Sequence, residues 1–311
     1  MVQQHNQDSD GSKRALITGS TGLLGRSMAA RLETAGWLVF AFTRADLDVS
    51  NPESVREAFV KSRPQLVVNC AAATDVDRCE REPSWAYAVN AEGPRLLARQ
   101  CNNFEADMVH ISTDYVFDGL KGELYTQEDE TNPLSVYAQS KLAGEIAVRE
   151  EIRRSYVVRT SWLFGPGGKN FGSKVIELAR KGAHLRAVID QTSIPTYASD
   201  LAARIEEVVH LGAHGLYHIT NTGPTNWFDF ARLALDLARM SDIPIERVSR
   251  EDLKQLAPRP HDTPMRCIVS ENLGLRPLRH WREALEDFVR EQDRLTAGSD
   301  TIIQGSGPAT A

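Results

Sequence analysis

Ala15-Leu16-Ile17-Thr18-Gly19-Ser20-Thr21-Gly22-Leu23-Leu24-Gly25 sets a short apolar run, three glycines spaced by three, and the start of an amphipathic pattern side by side. An apolar run without polar alternation is the form of a strand buried on both faces, as in a parallel sheet. Leu24, Met28, Leu32 and Ala35 then recur at steps of four, four and three, one stripe of a helix that Gly36 closes. Between strand and helix the glycines have a mechanical purpose. One permits the tight turn, the next lets backbone amides approach a diphosphate, and the last lets the helix pack closely on the strand. Gly19, Ser20, Thr21, Gly22, Leu23, Leu24 and Gly25 are therefore expected to hold the diphosphate of a dinucleotide.

The same grammar repeats downstream. Leu38 to Phe42, Leu66 to Asn69, Met108 to Ile111 and Tyr156 to Val158 are further near-continuous apolar runs, with helical patterns between them. Asn51-Pro52-Glu53 reads as a helix cap, a proline at the first helical position and an early acid, with Val55 and Phe59 turned inward. Strand alternating with helix predicts an α/β, doubly wound parallel sheet of Rossmann type. Past residue 163 the chain is punctuated by glycine and proline, with strong helical patterns at Trp227 to Met240 and Trp281 to Gln292. Leu216 to Ile219 reads as a late strand returning to the main sheet. The expected organisation is a dinucleotide-binding domain at 13–163 and a smaller, interleaved substrate-binding lobe at 164–295. Flexible tails are expected at 1–12 and 296–311.

The charge balance, 36 basic against 42 acidic residues, gives a net charge of -6 with no basic block, so nucleic acid and anionic membrane are poor partners. No apolar stretch is long enough to span a membrane and the polar start MVQQHNQDSDGSK lacks a signal core, which reads as cytoplasmic. Cys70, Cys79, Cys101 and Cys267 form no CxxC pair and are read as reduced thiols. His210 and His214 share helical spacing, but Gly212 between them makes a solvated helix end the better reading than a zinc site. No metal is expected.

An NAD-type site carries an acid at the end of the second strand, and here that end reads Ala41-Phe42-Thr43-Arg44. Thr43 and Arg44 suit a 2′-phosphate, so NADP(H) is preferred and NAD(H) possible, with Asp46 or Asp48 as the alternative acid. Tyr137 and Lys141 lie one turn apart on a helix that begins after Thr131-Asn132-Pro133-Leu134-Ser135. An ammonium beside a phenol brings it toward useful acid or base strength. Ser112-Thr113-Asp114 ends the fourth strand, at the sheet edge where open α/β folds bind ligands, and a hydroxyl there can orient a carbonyl beside Tyr137.

Together these residues resemble the extended short-chain dehydrogenase/reductases and, within them, the dTDP-4-dehydrorhamnose reductase family. The resemblance covers residues 14 to 293 and rests on GSTGLLG, VVNCAAATDVDRCEREP, ISTDYVF, PLSVYAQSKLAGE, VVRTSWLFG, IDQTSIPT, GLYHITNTGPTNWFDFA and RPHD. It implies a catalytic trio of Thr113, Tyr137 and Lys141. Implied cofactor contacts are Gly19 through Leu24, Asp48, Val49, Ala71, Ala72 and Ala73. Implied substrate contacts are Thr113, Asp114 and Trp162, with Arg259 as a clamp for a nucleotide diphosphate. Two departures stand out. Family members that pair through magnesium use glutamates where this chain has Ser27 and Ser199, and Thr263-Pro264-Met265 after RPHD is atypical.

The function implied is NADPH-dependent reduction of the 4-keto group of a dTDP-4-keto-6-deoxyhexose in deoxysugar nucleotide and dTDP-rhamnose biosynthesis, by a monomer or homodimer. Nucleotide-sugar 4,6-dehydratases resemble the same architecture but follow the strand-end hydroxyl with Asp-Glu, whereas here Asp114 precedes Tyr115. The alternative is a non-catalytic dinucleotide-binding subunit resembling the methionine adenosyltransferase β subunit.

Overall fold

The computed structural model describes residues 12–303, with the backbone alone from 295 onward. The expected tails at 1–11 and 304–311 lie outside the described residues. Residues 296–303, expected in a tail, instead continue the last helix, which meets no proline before Pro308.

The first half alternates as its pattern demands: β1 (Arg14–Thr18), α1 (Leu23–Thr34), β2 (Leu38–Ala41), α2 (Pro52–Ser62), β3 (Leu66–Asn69), α3 (Val76–Arg81), α4 (Pro83–Tyr87), α5 (Gly93–Phe104), β4 (Asp107–Thr113), α6 (Val136–Glu151) and β5 (Ser155–Thr160). Side chains fix the helix starts. Asn51 Oδ1 accepts from the amides of Glu53 and Ser54 at 2.9 and 3.2 Å, and Ser135 Oγ from that of Ala138 at 3.3 Å. A π-helical turn, Ala88–Glu92, joins α4 to α5.

The second half carries β6 (Leu163–Phe164), α7 (Phe171–Arg180), β7 (Leu185–Val188), β8 (Thr192–Ser193), β9 (Thr196–Tyr197), α8 (Ala198–Leu211), β10 (Gly215–His218), β11 (Thr225–Asn226), α9 (Trp227–Leu237), β12 (Ile245–Val248), α10 (Ile268–Asn272) and α11 (Trp281–Ile303). The late strand does return: β10 pairs in parallel with β5, Leu216 opposite Val157. The six-stranded parallel sheet runs β10-β5-β4-β3-β1-β2, so the strand order reverses between β1 and β3. Ligands bind at the carboxyl ends beside such a reversal.

Both sheet faces are covered. Leu24, Met28 and Leu32 of α1 pack with Leu201, Ile205 and Val208 of α8 on one side, while Val55 and Phe59 of α2 pack with Leu97 and Cys101 of α5 on the other. A third apolar cluster, built around Phe164, Tyr197, Phe230, Trp281 and Phe288, forms the core of the second lobe. β2 departs from the expected double burial: Leu38 is 45% exposed because the strand lies at the sheet edge.

Candidate active site

A cleft of about 620 Å³ opens at the carboxyl ends of the strands, and both halves of the expected site line it. Its cofactor half is a glycine cradle. Gly19 has φ +61° and a Cβ there would lie 2.8 Å from the Ala71 amide nitrogen; one on Gly25 would lie 2.3 Å from the Gly19 carbonyl oxygen. α1 begins at Gly22 with no side-chain cap and no acid in its first turn. Its first amides and positive dipole end are therefore left for an anion, which fits a diphosphate. The opposite wall is set by polar side chains. Thr18 donates to Asn69 at 2.7 Å and accepts from the Ala71 amide at 3.1 Å. Buried Asn90, in the π-turn, brackets Ala73 by accepting from its amide at 2.8 Å and donating to its carbonyl at 3.1 Å.

Gly19, Thr21, Gly22, Leu23, Leu24, Gly25, Arg44, Asp48, Val49, Ala71 and Ala72 all line the cleft; Ser20, Thr43 and Ala73 do not. Thr43 is instead committed to its own turn, its amide and hydroxyl both donating to Asp46, at 3.0 and 2.6 Å. That also occupies Asp46 as a ribose acid. Asp48 accepts from the amide and hydroxyl of Ser50, which hold its carboxyl below the usual range. Arg44 is thus the one basic side chain lining the cleft at the end of β2.

The catalytic half gathers Thr113, Asp114, Tyr137 and Lys141. Thr113 ends β4 and Tyr137 opens α6, and both line the catalytic end of the cleft. Burial pushes the Tyr137 phenol well above its ordinary value, with the neighbouring Thr113 hydroxyl opposing and the Asp114 charge adding to the rise. Lys141 donates Nζ to the Ile111 carbonyl at 2.5 Å, and burial brings its ammonium down to about 8 against the charge of Glu145. Tyr137 is therefore held as a neutral acid. Beneath the trio, Ser112 donates to Glu145 at 2.5 Å, and Glu145 forms a buried bidentate pair with Arg159 at 2.9 and 2.8 Å.

Asp114 joins the two lobes. It accepts from Thr113 at 3.2 Å, from Ser193 of β8 at 2.9 Å and from Thr263 at 2.5 Å, the last being one of the atypical residues after RPHD. Burial, against those three bonds, raises its carboxyl to about 6. Trp162 also reaches the cleft, with φ +42° and its ring stacked on Trp227 at 3.6 Å between centroids. Arg259 does not line it. Its guanidinium is paired with Asp77 at 3.1 Å and donates to the Ala257 carbonyl at 3.0 Å, fastening the RPHD turn to α3.

Tyr115 and Lys169 also line the cleft, though neither was singled out as a site residue. Tyr115 meets Tyr137 edge-on at 6.0 Å, and its hydroxyl accepts from Gln191 at 3.3 Å; Gln191 in turn accepts from the Trp227 indole at 3.0 Å. Its signal was the aromatic directly after Asp114. Cys70 lines the cleft as well, but burial lifts its thiol to about 12, so it is no nucleophile. All four cysteines are free. At the two serines that depart from the expected metal-pairing pattern, Ser27 donates back to the Leu23 carbonyl at 3.2 Å and Ser199 is exposed.

A Rossmann-type sheet, a glycine cradle, and a Thr-Tyr-Lys cluster opening on one cleft define a dinucleotide-dependent oxidoreductase of the extended short-chain dehydrogenase/reductase class. Over residues 13–294 the chain matches the family described as RmlD substrate binding domain, and it belongs to that family. It is 41% identical over 283 residues to a dTDP-4-dehydrorhamnose reductase of Streptomyces griseus, covering 88% of this chain and 92% of that one. It is 38% identical over 281 residues to the spore coat polysaccharide biosynthesis protein SpsK of Bacillus subtilis, covering 90% and 98%. The crystal structure of a dTDP-4-dehydrorhamnose reductase from Bacillus anthracis in complex with NADP superposes with a TM-score of 0.87 at 35% identity, covering 90% of this chain and 99% of that one. Among the described residues no helix is long and apolar enough to cross a membrane.

Proposed function

We propose that the protein is an NADPH-dependent reductase of the 4-keto group of a dTDP-4-keto-6-deoxyhexose, acting in the cytoplasm in deoxysugar nucleotide biosynthesis. The observation that carries this is that Tyr137, beside Thr113 and held neutral by burial, opens on the same cleft as the glycine cradle. NADPH bound there supplies the hydride. The protein's part is the proton: Tyr137 donates its phenolic proton to the carbonyl oxygen as that oxygen gains charge, and Thr113 orients the carbonyl. A phenol held protonated suits reduction, which begins from the acid. Lys141, which lines the same cleft with Nζ on the Ile111 carbonyl, is assigned the nicotinamide ribose and the support of the phenolate that proton donation leaves. Arg44, with Asp46 engaged elsewhere, supports NADPH over NADH.

Purified protein mixed with NADPH and an enzymatically generated dTDP-4-keto-6-deoxyhexose is expected to consume nicotinamide absorbance in step with formation of the 4-hydroxy sugar nucleotide. NADH is expected to serve less well. Cofactor binding without turnover on any such ketone would overturn the assignment and leave a dinucleotide-binding subunit.

A further inference from the structure

We infer that Lys169, carried on a glycine strap, is a cofactor-binding residue that places its ammonium on the dinucleotide diphosphate; the inference rests on the reductase reading above. The strap is Gly165-Pro166-Gly167-Gly168-Lys169-Asn170, between β6 and α7. It lies directly on the first turns of α1. A Cβ on Gly168 would stand 2.9 Å from Leu23 Cδ2, and Gly167, with φ +77°, has Arg26 Cδ 3.4 Å from the place of its own Cβ.

Asn170 fixes the strap's shape. Its Nδ2 donates to the carbonyls of Gly165 and Gly168 at 2.8 and 3.1 Å, while its Oδ1 caps α7 by accepting from the Ser173 amide at 3.0 Å. Lys169, next along the strap, lines the same cleft as Gly19, Gly22 and Gly25. Its side chain is exposed and has no ion-pair or hydrogen-bond partner among the described residues. The carboxylate that feels its charge, Glu177, is hydrogen-bonded to Lys181 at 2.5 Å.

The other cations near the cradle are committed or distant. Lys141 donates to Ile111, Arg26 donates Nε to the Thr21 carbonyl at 2.9 Å, and Arg44 lies at the end of β2. The cradle's amides supply dipoles without net charge, whereas a diphosphate carries net negative charge. A lysine is a flexible point charge, and Lys169 is the one left uncommitted beside the first turn of α1.

The test is titration of the intact protein and its variants with NADP⁺, ADP and 2′-AMP, following affinity rather than turnover. Lys169→Gln is expected to weaken NADP⁺ and ADP by about 3- to 10-fold, the scale of a charge-assisted contact discounted for exposure. The affinity for 2′-AMP, which has no diphosphate, should be unchanged, and Lys169→Arg should restore most of the loss. Unchanged affinity for NADP⁺ in Lys169→Gln overturns the inference. So does an equal loss for all three ligands, which would mean a disturbed strap rather than a lost contact. A parent protein that binds none of the three overturns the reductase reading itself.

Discussion

At the scale of single residues, the proposed reduction makes the Tyr137 phenol the group on which turnover should depend. Tyr137→Phe removes a positioned proton donor and leaves the cradle untouched, so kcat should fall by ~10² to 10⁴ while the Kd for NADP⁺ stays within about twofold. Unchanged turnover would remove Tyr137 from the chemistry. Asp114 makes a second prediction, on stability. Its folded value of about 6 lies above the ordinary 3.8, so between those limits the folded protein keeps a proton the unfolded chain has shed. That contribution is fully present below the lower value and lost as pH rises through the upper one. Asp114→Asn does not titrate, so relative to the parent it should gain on the order of 2–3 kcal/mol between pH 4 and pH 7. Denaturant unfolding at both pH values checks this, and parallel curves would show that Asp114 does not carry the shift. Tyr137 and Thr113 were legible because strand ends and helix starts announce themselves in sequence. The bond from Lys141 to the Ile111 carbonyl was not, since it joins α6 to the interior of β4.

At the scale of elements, the apolar runs and caps gave the strands and helices of the dinucleotide half close to their bounds, because each is specified by its own neighbours. What stayed hidden is set between elements. The π-turn at 88–92 is one such case, and π-turns concentrate at functional sites. Its Asn90 brackets Ala73 and donates to Ser140 at 3.0 Å, and its backbone meets α6 at Gly144. A Cβ on Gly144 would stand 2.1 Å from the Asn90 carbonyl oxygen, with His110 Nε2 at 3.3 Å behind it. Both the turn and the helix would have to move. Gly144→Ala is therefore expected to cost on the order of 2–3 kcal/mol of stability, although alanine is the better helix former. It should also weaken NADP⁺ binding through the displaced Ala71 to Ala73 wall. Thermal unfolding with and without NADP⁺ measures both effects, and a variant as stable as the parent would mean that α6 and the turn are not in register here.

At the scale of the whole molecule, the two lobes meet over Asp114, Ser193 and Thr263, and the chain passes back through α8 and β10 to finish the main sheet. That return was legible as an apolar run at 216 to 219; the lobe contacts were not, because a carboxylate and two hydroxyls far apart in sequence give no local signal. The same return brings Asp200 to the first turn of α8, beside Ser199. Asp200 accepts from Arg279 Nε and Nη2 at 2.8 and 3.1 Å and from Asn221 at 2.7 Å, so its carboxylate is held by a guanidinium and an amide. Recruiting it to a dication would break a paired contact, and the neutral hydroxyls of Ser27 and Ser199 are weak ligands for a hard cation. Proton donation by Tyr137 calls on no Lewis acid. Activity is therefore expected to survive thorough chelation, and added Mg²⁺ should leave the mass in solution unchanged. Light scattering before and after chelation, with and without Mg²⁺, decides the point, and a magnesium-dependent passage from monomer to dimer would show that Asp200 leaves Arg279 for the metal.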